Sequence, residues 1–146
     1  MSTTPKVSVL VPTYNYAHYL PETLRSALEQ TFTDFELVVV DNCSTDNTAE
    51  LMATYKDDPR VIYHRNDANI GIVGNFNRCL ELARGEYIKF LCADDKFAPG
   101  MLETYVRIMD EMPGVSLITC DKQAFGSKTH ETITPVTHLQ PGSASV

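Results

Sequence analysis

Apolar residues fall along this chain in two alternating styles. The short runs Val7-Ser8-Val9-Leu10-Val11, Phe35–Val40, Val61–His64, Glu86–Leu91 and Val115–Cys120 predict five strands. Several show little alternation, as strands covered on both faces do. Between them, apolar residues recur at helical spacing. Leu20, Leu24, Ala27, Leu28 and Thr31 predict a helix over about 17–30, with Pro21 in its first turn. Asn47 followed by Glu50 predicts a second helix start, running to Tyr55 and broken by Asp57-Asp58-Pro59. Val73, Phe76, Leu80 and Ala83 mark a third helix stopped by Gly85. Pro99 opens a fourth, with Met101, Tyr105, Ile108, Met109 and Met112 as its stripe and Pro113-Gly114 as its stop.

Strand and helix alternate through Asp121, the pattern of an α/β fold with a mainly parallel sheet and helices on both faces. From Gln123 onward the character turns polar. Thr132–Thr134 and Val136–Thr137 make at most a weak strand pair around Pro135, and 140–146 reads as a frayed end. The expected division is therefore 1–122 as the structured domain and 123–146 as a loose segment. A length of 146 residues allows one domain with a true core. A net charge of -7 argues against a protein that tracks nucleic-acid phosphates. Cys43, Cys79, Cys92 and Cys120 lack C-x-x-C spacing and read as reduced cytosolic thiols rather than a zinc site. Neither a secretory h-region nor an apolar run of membrane-spanning length appears in the sequence, so a cytoplasmic protein is expected, with peripheral contact at the inner membrane face as the alternative.

Candidate chemistry gathers where strands end. The second run stops in Asp41 and the fourth in Asp94-Asp95, which suggests a ligand crevice at the carboxyl edge of an open sheet. After strand one the chain reads Pro12-Thr13-Tyr14-Asn15-Tyr16, with no glycine-rich phosphate loop; Gly71 and Gly74 form only a G-x-x-G. This demotes a nicotinamide-dependent oxidoreductase. Tyr14 either stacks on a nucleobase or packs on the first helix. Asp41 either accepts from a base or ribose or caps the next helix. Asp94-Asp95 either meets a cation or caps the helix at Pro99. Charge discriminates here: a phosphate about 4 Å from a carboxylate is repelled by about 4 kcal/mol at an effective dielectric near 20. A divalent cation, Mg2+ or Mn2+, reverses that sign, so the acids make joint sense as a metal-bridged nucleoside-diphosphate site.

These segments resemble the family 2 glycosyltransferases with the GT-A fold. The resemblance rests on Val7–Asn15, Ser26–Phe32, Phe35–Asp46, Asn69-Ile70-Gly71 and Ala83–Asp95, in the family's order, over roughly the first 120 residues. It implies that Pro12, Thr13, Tyr14 and Asp41 hold a nucleotide, UDP by family habit, and that Asp94, with Asp95, belongs to a metal-binding D-x-D element. It implies sugar transfer from a nucleotide donor to an acceptor hydroxyl, on a saccharide or glycolipid in polysaccharide assembly, with inversion and with a carboxylate base. Two positions depart from the pattern. Cys92 stands where the family often has the first Asp of D-x-D, and a thiol suits a hard cation poorly. Phe76 stands where many members carry Arg, leaving Asn77 and Arg78 next door as the candidate ligand contacts. The family's acceptor half and base follow D-x-D by many residues, and about fifty follow Asp95 here. The chain therefore reads as an incomplete donor-binding half-domain with no assignable base, Glu131 being the only acid after Asp121. A missing half would leave apolar sheet surface exposed and favour homo-oligomers. A non-catalytic nucleotide-binding or interaction module is the alternative.

Overall fold

The computed structural model describes residues 4–120, 122–125 and 130–132. The chain divides into two compact units, 1–101 and 102–146. The first contains β1 (Val7–Thr13), α1 (Leu20–Leu28), β2 (Phe35–Asp41), α2 (Thr48–Ala53), β3 (Val61–Arg65), α3 (Gly71–Leu82) and β4 (Tyr87–Phe90). Helix α4 (Met101–Glu111) begins at the boundary, and β5 (Lys122–Ala124) and β6 (His130–Thr132) follow. No described helix is long and apolar enough to cross a membrane.

The sheet of the first unit is wholly parallel, in the order β3-β2-β1-β4. All seven residues of β1 and of β2 are buried, so both faces of the central strands are covered. On one face Leu10, Val38 and Val40 pack with Cys79 of α3, flanked by Ile62, Leu82, Ala83 and Phe90. Burial pushes the Cys79 thiol up to about 12, so it stays a neutral core group. Strand β1 runs through Pro12 to Thr13 instead of ending before the proline. The residue can stay because backbone hydrogen-bonding groups point to alternate sides along a strand: Leu10 O accepts from Leu91 N on the β4 side, while Thr13 O accepts from Asn42 N on the β2 side. Pro12 therefore turns its missing N–H toward the side where β4 has already ended at Phe90.

At the amino edge of the sheet sits a buried polar cluster. Ser8 and Glu36 are register partners, and Ser8 Oγ donates to Glu36 Oε1 at 2.6 Å. Arg84 donates to the same carboxylate from its backbone N (2.8 Å), Nε (2.9 Å) and Nη2 (2.6 Å). Burial alone would raise the Glu36 carboxyl, but the bonds from Ser8 and Arg84 outweigh it and hold the group below its ordinary 4.5. The cluster fastens the α3–β4 turn to β1 and β2. Gly85 belongs to this contact rather than to a helix cap, since α3 already ends at Ala83 with extended backbone. A Cβ on Gly85 would lie 2.4 Å from Ser8 N and 2.7 Å from Val7 C, both backbone atoms of β1.

Three expectations are corrected. Val115–Cys120 pairs with no strand among the described residues and is mostly exposed. Apolar β-prone residues form a strand only where a neighbouring ladder takes up their N–H and C=O groups. The buried face of α3 is Asn75 and Cys79, whereas Val73 of the predicted stripe is 70% exposed. Hydrogen bonds draw Asn75 inward and rotate the helix away from its apolar stripe. In α4 the fully buried positions are Leu102 and Val106, central to the predicted stripe yet not part of it. Strands β5 and β6 pair antiparallel, Gln123 opposite Glu131, and the rest of the predicted loose segment, 126–129 and 133–146, with all of its proposed strand pair but Thr132, lies outside the described residues.

Two outcomes are expected. Gly85→Ala forces backbone apart and costs about 1–3 kcal/mol in urea unfolding, the range of overpacked sites. The depressed Glu36 carboxyl contributes stability that is complete above its ordinary 4.5 and is lost as pH falls through its lower folded value. Unfolding free energy measured against pH should therefore drop on the acid side of 4.5, and Glu36→Gln should flatten that drop.

Candidate functional site

The strand order makes β1 the switch point: from it the chain steps to β2 and β3 on one side and returns to β4 on the other. An open parallel sheet leaves a crevice beyond the carboxyl ends of its strands at such a point. A cleft of about 340 Å³ lies there. Pro12, Thr13, Tyr14 and Tyr16 line it from the end of β1, and Asn42 from the end of β2. Asn69, Ile72, Asn75 and Phe76 line it from the start of α3, and Cys92, Ala93 and Asp94 from the end of β4.

The β1 and β2 loops are stitched together by short polar side chains. Asn15 adopts a left-handed backbone (φ 58°), its N donates to Ser44 Oγ at 2.8 Å, and its Oδ1 accepts from Thr45 N at 2.8 Å. Ala17 N donates to Asp46 Oδ2 at 3.0 Å. Asp46 Oδ1 accepts from Thr48 N and from Thr48 Oγ1, so Asn47 occupies the expected N-cap position of α2 while Asp46 supplies the side-chain bond. Burial acts to raise the Asp46 carboxyl, but the bonds from Thr48 and Ala17 keep it below its usual value and ionised. Cys43 also takes a left-handed backbone (φ 63°), a conformation that costs a side-chain-bearing residue about 1 kcal/mol or more.

A chain of asparagines builds the floor. Asn42 Nδ2 donates to Asn69 Oδ1 (2.8 Å) and Gly71 O (3.3 Å). Asn42 Oδ1 accepts from Ile70 N (2.9 Å) and Asn66 Nδ2 (3.2 Å), so all four of its hydrogen-bonding sites are used. Asn66 Nδ2 also donates to Asn75 Oδ1 (2.9 Å), and Asn75 Nδ2 donates to Val40 O (3.0 Å). Gly71 opens α3 with φ 77°, which only glycine adopts without strain, and its N donates to Asn69 Oδ1. The network ties the ends of β2 and β3 to the first turn of α3. Sequence reasoning missed Asn42, Asn66, Asn69 and Asn75 as a group, although their repeated placement after strands and at a helix start was the available signal.

The structure treats the predicted site residues unequally. Pro12, Thr13, Tyr14 and Asp94 share the cleft. Tyr14 is 42% exposed, a ring free to cover a flat ligand face. Thr13 is 2% exposed, and its Oγ1 has no hydrogen-bond partner among the described residues. Asp95 is exposed and is not among the lining residues; its N closes a turn on Cys92 O. Asp41 is 0% exposed and spends its carboxylate inside the protein. Its Oδ1 accepts from Ser44 N (2.8 Å) and its Oδ2 from Tyr63 Oη (2.9 Å), with Arg65 Nε at 3.4 Å. Burial first, and then the bond to Asp41, raises the Tyr63 phenol and keeps it a donor. Asn77 and Arg78 do not line the cleft. Asn75 and Phe76 do, because the 3.6-residue period carries Asn77 round to the exposed side. Arg78 instead pairs with Glu81 at 3.3 Å. No trio of His, Cys, Asp or Glu gathers to hold a metal among the described residues.

Removing one link should leave buried partners unsatisfied. Asn66→Ala removes the Asn66 donor from Asn75 Oδ1, leaves Asn42 Oδ1 with Ile70 N alone, and is expected to cost about 1–3 kcal/mol. Faster hydrogen exchange at the Ile70 and Gly71 amides, with little change at the amides of β1, is the local signature to measure.

Comparison with known proteins agrees with this geometry. Residues 8–135 match the family model for glycosyl transferase family 2. The chain is 38% identical over 108 residues to the putative teichuronic acid biosynthesis glycosyltransferase TuaG of Bacillus subtilis, covering 73% of this chain and 43% of TuaG. It superposes on S. aureus TarS (residues 1–349), also crystallised in complex with UDP-GlcNAc and with UDP, with a TM-score of 0.70 and 35% identity, over 74% of this chain and about a third of TarS. The mannosyltransferase PcManGT of Pyrobaculum calidifontis, in complex with GDP-Man and Mn2+, gives 0.65 and 29% identity over 78% of this chain and 34% of its own. The chain thus spans less than half the length of these relatives. On the family match, the parallel sheet and the crevice at its switch point, this chain is a member of glycosyl transferase family 2, with the GT-A fold.

Proposed function

We propose that this domain binds a nucleoside-diphosphate sugar, a UDP-sugar in the first instance, in the cleft beyond β1 and β4. The reaction it would serve is transfer of the sugar, with inversion, to a hydroxyl of a saccharide or glycolipid acceptor. The observation that carries the reading is Thr13: a buried hydroxyl with no hydrogen-bond partner among the described residues, lining a crevice at the switch point of a parallel sheet. A buried hydroxyl left unpaired costs free energy that a ligand recovers. Structures of TarS with UDP and UDP-GlcNAc support the choice of nucleotide.

Each wall then has a task. The exposed Tyr14 ring covers the base. The Asn69 side chain, its carbonyl already fixed by Asn42 and Gly71, keeps its NH2 for ligand oxygens. Asp41 works at one remove: it holds Ser44, Tyr63 and Arg65, and thereby the loop whose Asn42 forms the wall. Asp94 is the one carboxylate on the cleft, a hard oxygen donor at its edge. Mg2+ and Mn2+ need few carboxylates when phosphates and waters complete the shell, so Asp94 with a diphosphate fits such an ion, whereas Cys92 does not. The bound ion would supply charge neutralisation for the diphosphate as it departs. An inverting transfer also needs a base for the acceptor hydroxyl. No second acid is among the described residues that line the cleft, which favours, as a second reading, a chain that binds donor without turning it over.

Calorimetric titration with UDP in Mn2+ and in EDTA tests the proposal. Binding is expected in Mn2+ and should weaken at least tenfold in EDTA. Asp94→Asn should abolish that difference while leaving the fold intact by circular dichroism. A folded chain that binds UDP in neither condition would refute the reading. Release of free sugar from a UDP-sugar by this chain would remove the non-catalytic alternative.

A further inference from the structure

The cleft holds no cationic side chain among the described residues that line it, and one anionic residue, Asp94. The nearest elements do carry arginines, but each is engaged elsewhere. Arg65 is held by Asp41 and by Ser44 O, and Arg78 by Glu81. The position on α3 from which a long side chain would enter the cleft is filled by Phe76, whose ring packs on Phe90 of β4 with centroids 5.0 Å apart. Ile72, one turn earlier and 75% exposed, lines the same wall.

We infer that Phe76 determines donor specificity, making this a cleft for neutral sugars that rejects sugars bearing a carboxylate. The inference rests on the nucleotide-sugar reading above. A divalent ion beside Asp94 neutralises the diphosphate, which every donor of this class shares. It leaves a second negative charge on the sugar facing an apolar wall and the Asp94 carboxylate. A carboxylate moved from water to such a wall loses solvation without gaining a paired charge or donor. A neutral hexose loses far less, since its C–H faces pack on aromatic and aliphatic side chains and its hydroxyls keep the Thr13 and Asn69 partners.

The test is competitive titration of the 146-residue chain in Mn2+ with UDP, UDP-glucose and UDP-glucuronate. The expected result is UDP-glucose binding at least as well as UDP, and UDP-glucuronate at least tenfold more weakly than UDP-glucose. Phe76→Arg should shrink the gap below about threefold and raise UDP affinity in EDTA, while Phe76→Leu, still neutral, should keep the gap. Should Phe76→Arg fail to fold, Ile72→Arg places a cation on the same wall from an exposed position and should shrink the gap likewise. Equal affinities for the two sugars in the parent chain, or a gap that survives a cation in a folded variant, would overturn the inference while leaving UDP binding, and so the underlying reading, in place. Absence of any UDP binding would instead remove both.

Discussion

The side-chain amide of Asn42 is the joint on which the ligand-facing edge of the sheet depends. It stands one residue past β2, almost wholly buried, with both N–H donors and both carbonyl lone pairs committed. A buried amide is costly unless every site is met, and a fully met one fixes its neighbours more narrowly than apolar contact does. Through Asn66, Asn69 and Asn75 the joint holds the first turn of α3 against the ends of β2 and β3. The cleft wall at Ile72, Asn75 and Phe76 follows from it.

Polar groups thus do different work at the two edges of one sheet. At the amino edge Ser8, Glu36 and Arg84 place charge where it closes the structure, with Gly85 admitted only because nothing larger clears the β1 backbone. At the carboxyl edge the asparagines are neutral, the acids at Asp41 and Asp46 are consumed internally, and Asp94 alone meets the crevice. A charged fastener in the cleft would add to its field, whereas an amide holds position without doing so.

Much of this was legible in the residues. Unbroken apolar runs gave the four parallel strands, because strands covered on both faces need not alternate. Strand ends pointed to Tyr14 and Asp94, while Pro12 and Thr13 came from the family resemblance; all four line the switch-point crevice. What escaped depended on long-range hydrogen bonds. Asn75 outcompeted Val73 for the inner face of α3 because its partners, Val40 O and Asn66, come from distant strands. Val115–Cys120 has strand composition but no ladder among the described residues to complete it. Asp41 appeared free to hold a ligand because the bond from Tyr63, on another strand, is invisible in a local window.

Pro12 carries one more implication. Past Phe90 the flank of β1 is uncovered for the length of a residue or two, and an amide there would invite an incoming extended segment to zip on beside it. With its nitrogen locked in a ring, the imino acid denies that docking chain its acceptor's mate. A strand added beside β1 at that point would lack the hydrogen bond from residue 12, which disfavours extension of the sheet there.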